Sequence, residues 1–393
     1  MLNVGVLIGG RSVEHEVAVI TAMQMIENLD KSKYKVYPIY ISNTGKWLVG
    51  PGLDKFETYK KRDFSNCREV FLMPTYGSKT LYVLEDKEVS GGLFGKRESY
   101  KSLKKYCDLD VAILGLHGTN AEDGTIQGLL DTIGLPYTGG DVLASSIGMD
   151  KVLMKDVYKQ NNIPTVNYYW FYRDRWKTNK DQVIEEVEKL SYPLMVKPSN
   201  LGSSIGISKA IDRDSLIQSI EVAINYDNKI IIEEAIENLR EINCAVLGRN
   251  DDLITSVLEE PIGWKDVQNF QDKYSKDSKT TRRIPADVTE DVKKQIEDLA
   301  KEAFKVINCA GTARIDFLLE DNEKVYVNEI NTLPGSTSYH LWEKVGISFK
   351  ELMDRLIEIA LKNQEEKDKN LVTFESDIYL KTSYGTKGGS SLK

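Results

Sequence analysis

The chain has 393 residues, with 52 Lys and Arg against 60 Asp and Glu, a formal net charge of −8 and 41% hydrophobic residues. This length suits two or three domains, and the acidic balance argues against general nucleic-acid binding, in which cations must neutralise phosphates. The four scattered cysteines form no C-x-x-C pair, which argues against a common zinc pattern and a disulfide framework. No apolar run approaches the roughly 20 residues of a membrane span. We therefore expect a reduced, cytoplasmic protein that binds neither membranes nor nucleic acids.

The N-terminal region alternates strands with helices. The predicted elements are a strand over 4–8, a glycine loop at 9–10, a helix that includes 17–25, and strands over 35–41 and 110–114. This alternation indicates a parallel α/β sheet, and the weaker pattern over 45–105 predicts an elaboration of it. The G-x-G-x-x-G motif is absent, which excludes an NAD-binding fingerprint.

After a boundary near residue 140, the chain predicts one helix and then short strands. The predicted elements are a helix over 150–162 and strands over 194–197, 207–210, 230–233 and 242–247. The glycine-rich loop at 199–206 can cover an anion with its N–H groups and hydroxyls, although it is not a P-loop. Lys151 and Lys197 could neutralise nucleotide phosphates, and Glu233 and Glu241 could bind a base and a ribose. The alternative is that these side chains are simply solvated.

The C-terminal third predicts a polar hairpin between two helices. The predicted elements are a helix over 290–307, strands over 312–319 and 325–331, and a closing helix with the capping box Ser348-Phe-Lys-Glu351. With a hairpin loop over 321–324 and Glu320 opposite Val325, Asp316 faces Glu329 and Arg314 faces Asn331.

The facing carboxylates of this hairpin predict a metal site. Two directly opposed carboxylates are destabilising unless a cation lies between them. Asp316, Glu329 and Asn331 offer hard oxygen ligands that suit Mg²⁺ held jointly by protein and substrate phosphates, and Arg314 could hold an oxyanion. The alternative is a solvated hairpin face with ordinary ion pairs, and a register slip of one residue would separate the facing pairs.

Seven motifs, in order and over nearly the whole chain except its tail, resemble the D-alanine--D-alanine ligases of the ATP-grasp superfamily. They are GGRSVEHEV at 9–17, HGTNAEDG at 117–124, PYTG at 136–139, MDK at 149–151, VKPS with GSSIG at 196–206, ARID at 313–316 and NEINTLPG at 328–335. The resemblance implies an α/β, ATP-grasp fold, in which an N-terminal parallel α/β (Rossmann-like) domain binds amino acids and two α+β lobes sandwich ATP. The implied regions are the N-terminal domain 1–140, the central lobe 141–232, the C-terminal lobe 233–364 with the metal site, and a flexible tail 365–393.

The resemblance also implies a reaction. ATP phosphorylates the carboxylate of one D-alanine, and the amine of a second attacks the acyl phosphate to give D-alanyl-D-alanine for peptidoglycan precursor synthesis. It implies ATP, two Mg²⁺ ions (with Mn²⁺ as a possible substitute) and a homodimer. The implied residues are Glu14, Ser203, Tyr274 and Arg314 for catalysis; Lys151, Lys197, Ser203, Ser204, Glu233, Glu241 and Lys273 for ATP; His117, Glu122, Gly335, Ser338, His340 and Leu341 for the amino acids; and Asp316, Glu329 and Asn331 for metal.

Two departures from the family pattern leave alternatives open. His340 stands where the family usually has Ser against the carboxylate of the second amino acid, which is either a tolerated substitution or a sign of another acceptor such as D-serine. The segment VQNFQD at 267–272 replaces a common aromatic run, although the following Lys273-Tyr274 resembles dipeptide-forming members. His117 is either structural or a substrate contact. A nucleotide-binding relative without catalysis is a further alternative, against which the intact set of Arg314 and the metal ligands argues.

Overall fold

The computed structural model describes residues 1–89, 98–262 and 281–376. The strands are β1 Leu2–Gly9, β2 Tyr34–Ile41, β3 Trp47–Val49, β4 Arg68–Leu72, β5 Thr80–Val89, β6 Glu98–Asp108, β7 Val111–Leu116, β8 Tyr168–Tyr172, β9 Leu194–Pro198, β10 Ser208–Ala210, β11 Lys229–Glu234, β12 Leu239–Arg249, β13 Asp252–Thr255, β14 Glu260–Ile262, β15 Thr281–Arg283, β16 Ala310–Glu320 and β17 Lys324–Asn331. The helices are α1 His15–Asn28, α2 Phe56–Lys61, α3 Thr125–Ile133, α4 Val142–Met149, α5 Lys151–Gln160, α6 Arg173–Thr178, α7 Lys180–Val187, α8 Arg213–Ala223, α9 Glu290–Val306, α10 Tyr339–Trp342 and α11 Phe349–Asp368. The predicted strands and helices are present, with ends that differ by a few residues.

The N-terminal sheet is mixed rather than wholly parallel. Its strand order is β6-β5-β4-β3-β2-β1-β7, and β1 pairs in parallel with β2 and β7. From β2 outwards to β6 the pairing is antiparallel. The predicted parallel pairing is therefore confirmed for β2, β1 and β7, and the elaboration predicted over 45–105 consists of antiparallel strands. Strands β4 and β5 follow each other through a short connection, which suits antiparallel pairing, and β3 and β4 also pair antiparallel although α2 lies between them.

Two further antiparallel sheets form the rest of the fold. The central sheet has the order β10-β9-β11-β8, and the C-terminal sheet has the order β13-β12-β16-β17. The short pair β14-β15 lies beside the C-terminal sheet. Helix α9 packs on that sheet with an apolar face that includes Val292, Ile296 and Phe304. Within the described residues, no helix combines the length and the apolar character needed to cross a bilayer.

The helix ends follow the predicted caps only in part. Asp150 begins α5 because its carboxylate accepts from the backbone N–H groups of Val152 and Leu153. Ser348 Oγ accepts from Glu351 N at 3.2 Å, but the reciprocal half of the predicted capping box is absent because the Glu351 carboxylate binds Arg355. Helix α11 continues to Asp368, past the predicted start of the tail at residue 365.

The β16–β17 hairpin has the predicted pairs but not the predicted turn. Asp316 lies opposite Glu329, and Arg314 lies opposite Asn331. The strands pair up to the turn with Glu320 opposite Lys324, so the predicted loop over 321–324 is wrong by one residue. The pairing shifts by one residue between Asp316 and Phe317, which is a β-bulge on the β17 side.

Candidate active site

A large cleft lies where the N-terminal, central and C-terminal regions meet, and it encloses about 3670 Å³ including the solvent at its mouth. Helix α1 lines it from the N-terminal region, strand β9 and the loop at 201–204 from the central region, and the C-terminal sheet from the other side. The predicted site residues in its wall are Lys151, Lys197, Ser203, Ser204, Glu233, Glu241, Arg314, Asp316, Glu329, Gly335 and His340.

Four polar residues form a row across the C-terminal sheet. Glu259 bridges to Asn243, Asn243 pairs with Asp316, and Asp316 pairs with Glu329. Paired residues of antiparallel strands point to the same face of the sheet, about 4.8 Å apart per strand. All four side chains line the cleft. The row therefore spans the cleft floor, with the opposed carboxylates of Asp316 and Glu329 at one end.

Arg314 forms an ion pair with Asp316, which lies on the same face of strand β16, as the sequence predicts. Its Nε and Nη2 atoms donate to the two oxygens of Asp316 at 2.6 and 2.7 Å. Asn331 Nδ2 also donates to Asp316 Oδ2, at 3.1 Å. A bidentate guanidinium–carboxylate contact is strong and directional. The predicted grouping of Arg314, Asp316 and Asn331 is thus present as one hydrogen-bonded unit.

The donor set of this unit fits a hard divalent cation. Among the described residues, no group of three or more His, Cys, Asp or Glu side chains is arranged as a metal centre. The carboxylates of Asp316 and Glu329 and the amide oxygen of Asn331 nevertheless offer only oxygen ligands, which suit Mg²⁺ when substrate phosphates and water complete its coordination. A cation bound between Asp316 and Glu329 would also reduce the repulsion between these two opposed carboxylates.

Two lysines enclose Glu233 in the central region. Lys197 Nζ donates to Glu233 Oε2 at 2.6 Å, and Lys155 Nζ lies 3.2 Å from Oε1. Burial acts to raise the pKa of Glu233, but the two ammonium groups lower it to about 2. Burial lowers the pKa of Lys155, against the influence of Glu233. Lys155 is completely buried and was missed from the sequence, although it lies one helical turn after Lys151.

Lys151 connects the glycine-rich loop to the end of the row at which Glu329 lies. Its Nζ donates to the carbonyl of Leu201 at 2.9 Å and lies 3.7 Å from Glu329 Oε2. Glu241 lies on β12, two residues before Asn243 and on the same face of the sheet, and it also lines the cleft. The lysines and carboxylates predicted for a nucleotide are therefore brought to one cleft.

Glu14 contacts the glycine-rich loop from the N-terminal region. Ser203 Oγ donates to Glu14 Oε1. Gly118 lies on the other side of Glu14, with φ +69°, and a Cβ at this position would lie 2.7 Å from Glu14 Oε2. Gly118 N donates to Glu122 Oε2 at 2.8 Å. Burial, and then the charge of Glu14, raise the pKa of Glu122 to about 8.

His117 connects helix α1 to the loop that follows β17. Its Nδ1 lies 2.9 Å from the carbonyl oxygen of Leu333, and its Nε2 lies 2.8 Å from Thr21 Oγ1. A carbonyl only accepts, so Nδ1 carries the proton and Nε2 accepts from the Thr21 hydroxyl. Thr21 Oγ1 in turn accepts from Ser336 N at 3.1 Å. Both ring nitrogens of this buried histidine are engaged, which supports the structural alternative over direct contact with a substrate.

The turn over 335–338, which leads into α10, carries three successive residues in the left-handed region. Ser336, Thr337 and Ser338 have φ of 50°, 53° and 52°. Non-glycine residues in this region are strained, and such strain is found where a loop is held for function. Leu341 packs in a hydrophobic core with no exposure, and Ser338 is buried. Of the four residues over 335–341 that were predicted to contact the amino acids, Gly335 and His340 line the cleft.

The motifs of the cleft match one family. The family model described as D-ala D-ala ligase N-terminus matches residues 3–140, and the one described as D-ala D-ala ligase C-terminus matches residues 157–358. This chain belongs to the D-alanine–D-alanine ligase family. A D-alanine--D-alanine ligase of Natranaerobius thermophilus is 42% identical over 380 residues, which cover 95% of this chain and 98% of the relative. That of Geobacillus thermodenitrificans is 40% identical over 385 residues, which cover 95% and 99%.

Solved structures of this ligase family share the fold, which bears out the predicted ATP-grasp architecture. The D-alanine-D-alanine ligase from Coxiella burnetii has a TM-score of 0.76 at 30% identity and covers 94% of this chain and 96% of its own. The VanG D-Ala:D-Ser ligase from Enterococcus faecalis has a TM-score of 0.77 at 28% identity and covers 91% and 99%. The Bacillus anthracis D-alanine--D-alanine ligase complexed with ATP has a TM-score of 0.66 at 26% identity and covers 93% and 100%.

Several residues of this ligase cleft were not identified from the sequence. Glu259, Asn243 and Arg282 line the cleft beside His340. Asn243 has a sequence signal, because it lies on the predicted strand over 242–247, two residues after Glu241. Glu259 and Arg282 have no sequence signal, because their positions in the cleft depend on how β14 and β15 pack against β12. The predicted Lys273 and Tyr274 lie outside the described residues.

Proposed function

We propose that this chain is an ATP-dependent ligase that joins two D-alanine molecules into D-alanyl-D-alanine for peptidoglycan precursors. The observation that carries the proposal is the row with Asp316 opposite Glu329 and Arg314 bound beside it, in a cleft that also holds Lys151 and Lys197. Full-length relatives at about 40% identity carry this activity in their names. The names of these relatives do not favour the two alternatives, which are a ligase with a different acceptor and a nucleotide-binding protein without catalysis.

The reaction has two steps with a shared acyl phosphate. An oxygen of the first D-alanine carboxylate attacks the γ-phosphorus of ATP, and ADP leaves. The amine of the second D-alanine then attacks the acyl carbon and loses a proton, and phosphate leaves with the former carboxylate oxygen. These steps depend on orientation and charge stabilisation more than on a strong base.

ATP is proposed to bind between the central and C-terminal regions. Lys151 and Lys197 would contact its phosphates, Ser203 and Ser204 would cover them, and Glu241 would accept from the ribose. Glu233 Oε1 is buried and has no hydrogen-bond donor of good geometry among the described residues. This oxygen suits the exocyclic amino group of a base. Lys273, which lies outside the described residues, is proposed to reach the γ-phosphate.

The amino acids are proposed to enter from the N-terminal side. Glu14 would hold the ammonium of the first D-alanine, with Glu122 behind it, and Ser203 would bridge to Glu14 as it does in the structure. Tyr274, outside the described residues, would complete this contact. Arg314 would stabilise the tetrahedral intermediate. The proposed contacts to the second D-alanine are His340 and the loop residues Gly335, Ser338 and Leu341, of which Ser338 and Leu341 would act through their backbone.

Asp316, Glu329 and Asn331 are proposed to hold two Mg²⁺ ions, with Mn²⁺ as a possible substitute. When bound, these ions would neutralise charge on the phosphates during transfer. The protein's own part is to keep the ligands opposed, which the Asp316–Glu329 pair and the Arg314 clamp do. A homodimer and a cytoplasmic location belong to the same proposal by family resemblance, and sedimentation of the purified chain tests the dimer.

Release of ADP in the presence of ATP, Mg²⁺ and D-alanine alone tests the proposed reaction. We expect D-alanine-dependent turnover and a D-alanyl-D-alanine product. An Arg314→Ala variant should lose turnover while it largely retains ATP affinity, because the guanidinium is proposed to act on the intermediate and not on the nucleotide. Absence of D-alanine-dependent ADP release, with turnover on another amino-acid pair, would refute the substrate assignment.

A further inference from the structure

Three polar side chains converge at the end of the cleft row that lies farthest from Glu329. Glu259 is almost completely buried, and its Oε1 lies 3.1 Å from His340 Nε2 and 3.3 Å from Arg282 Nη1. Its Oε2 accepts from Asn243 Nδ2 at 3.3 Å. One buried carboxylate therefore anchors the more exposed guanidinium of Arg282 and ring of His340, and also the amide of Asn243.

The hydrogen bonds of this cluster compete with one another. His340 Nε2 lies 3.1 Å from both Glu259 Oε1 and Arg282 Nη1. A guanidinium only donates, so Nε2 accepts from Arg282 when it carries no proton and donates to Glu259 when it carries one. Both hydrogen bonds cannot exist at once. Arg282, whose side chain is 58% exposed against 4% for Glu259, is the member that can turn to a ligand.

We infer that Arg282 binds the carboxylate of the second amino acid, and that Glu259 is a positioning residue that holds Arg282 and His340 at that end of the cleft. This inference rests on the proposed ligase reaction and assigns its acceptor end. A guanidinium matches a carboxylate through two parallel hydrogen bonds. When Arg282 turns to the substrate, His340 keeps its hydrogen bond to Glu259.

The length of the row across the sheet supports a position for the acceptor carboxylate at the end opposite to Glu329. Glu259 lies two strands away from Asp316, which is about 10 Å at the usual strand spacing. The phosphate being transferred is proposed to lie at Asp316 and Glu329, so the acyl carbon and the attacking amine fall between the two ends of the row. The acceptor carboxylate, at the far end of its molecule from the reacting carbon, then falls at Arg282.

A hydroxylamine trap separates the acceptor end from the rest of the reaction. Hydroxylamine attacks the acyl phosphate and gives D-alanine hydroxamate and phosphate, so this product needs ATP and the first D-alanine but no acceptor carboxylate. We expect Arg282→Gln to raise the KM for the second D-alanine roughly 10- to 100-fold, the effect of losing a charged hydrogen bond. Hydroxamate formation should stay within about twofold of the wild type.

D-alaninamide, an acceptor without a carboxylate, tests directly whether Arg282 recognises that group. The wild type should prefer D-alanine to D-alaninamide as acceptor, and Arg282→Gln should lose most of that preference. Glu259→Gln should raise the acceptor KM with little change in hydroxamate formation, and Glu259→Asp should restore part of it. A residue with a merely structural role would instead lower both rates together.

Arg283→Gln is the matched control. Arg283 is the next residue on β15, but it faces Glu260 at 3.2 Å and does not line the cleft. It should leave the acceptor KM and the acceptor preference unchanged. An unchanged acceptor KM in Arg282→Gln, or an equal loss of hydroxamate formation, would overturn the inference. No hydroxamate and no D-alanine-dependent ADP release in the wild type would instead refute the proposed function, and with it the inference.

Discussion

Glu329 lies directly opposite Asp316 across a hairpin whose second strand carries a β-bulge at Asn328. The bulge turns two successive side chains toward the cleft, with Asn328 Oδ1 3.4 Å from Lys197 Nζ and Glu329 Oε2 3.7 Å from Lys151 Nζ. Bulges near active sites commonly re-aim side chains in this way. One backbone irregularity thus positions both Glu329, the proposed metal ligand, and Asn328, which lies beside the proposed phosphate site.

Glu329→Gln separates the metal role from the structural role of this pair. We expect turnover to fall at least about 100-fold and the half-saturating Mg²⁺ concentration to rise, because one of two anionic ligands is lost. Without metal, the free energy of unfolding should change by no more than about 1 kcal/mol, because a like-charge contact is also removed. ADP release against Mg²⁺ concentration and urea unfolding measure the two effects.

Asn328→Ala is the control for the metal prediction, since it alters the adjacent residue in the same cleft. It should weaken ATP binding through the lost contact with Lys197 and leave the half-saturating Mg²⁺ concentration in place. An equal shift in Mg²⁺ dependence for both variants would mean that Glu329 has no special role as a ligand.

The charges around Glu233 predict that two substitutions change the free energy of unfolding by very different amounts. Lys155 and Lys197 place two positive charges on one carboxylate, so Lys155→Met leaves a balanced pair and should change the free energy of unfolding by less than about 1 kcal/mol. Glu233→Gln leaves two buried ammonium groups without a counter-charge and should cost about 3–5 kcal/mol. Urea unfolding near pH 7 measures both, and a Lys155→Met variant that loses as much as Glu233→Gln would contradict the charge argument.

The Thr21–His117 contact holds the strained turn over 335–338 against helix α1. Thr21→Val keeps the side-chain shape but leaves His117 Nε2 and Ser336 N without a partner, which should cost about 1–3 kcal/mol of stability. His117→Ala should cost at least as much, and the double variant should lose less than the sum because the two residues share one network. The KM for the second D-alanine should rise in each variant.

Thr132→Val is the matched control for this network. Thr132 is an exposed residue of α3, and its hydroxyl donates to Gly128 O of the same helix at 2.7 Å. The expected cost is within about 0.5 kcal/mol. Additive losses in the Thr21 and His117 double variant, as measured by urea unfolding, would show that the two side chains act independently.

The regular parts of the fold were predictable because strand and helix periods fix which side chains face inward. Ala313, Ile315, Phe317 and Leu319 are all completely buried, as the period of two requires. The pairing of Asp316 with Glu329 was also predicted, but through two errors that cancel. The turn is one residue shorter than expected, and the bulge at the site restores the register, which no strand pattern reveals.

The contacts that depend on tertiary packing could not be predicted. A lysine on a helix is normally solvated, so the burial of Lys155 follows only from the approach of Glu233 on β11. Arg282 and Glu259 meet because β14 pairs with β15 beside the C-terminal sheet. The sequence leaves His117 as either structural or a substrate contact, and only the fold shows that its two ring nitrogens contact Thr21 and Leu333. Local sequence carries no information on such partners.

The raised pKa of Glu122 predicts that the free energy of unfolding depends on pH, and that a variant with an uncharged side chain at this position lacks this dependence. Its pKa in the folded protein is about 8, above the ordinary 4.5, so the folded protein keeps a proton that the unfolded chain has released. This contribution is fully present below about pH 4.5 and is lost as the pH rises through about 8. Burial lowers the pKa of the His117 ring, so the contribution of that residue has the opposite sign and is lost as the pH falls.

Glu122→Gln should therefore gain stability relative to the wild type as the pH rises from 6 to 9, by at most about 1.4 kcal/mol per pH unit. Urea unfolding of both proteins across this range gives the difference at each pH. Glu16→Gln is the control, because this α1 carboxylate is largely exposed, and its difference from the wild type should stay constant. A Glu122→Gln difference that is equally flat would show that Glu122 is ionised in the folded protein throughout, with Gly118 N and Leu333 N holding the charged form.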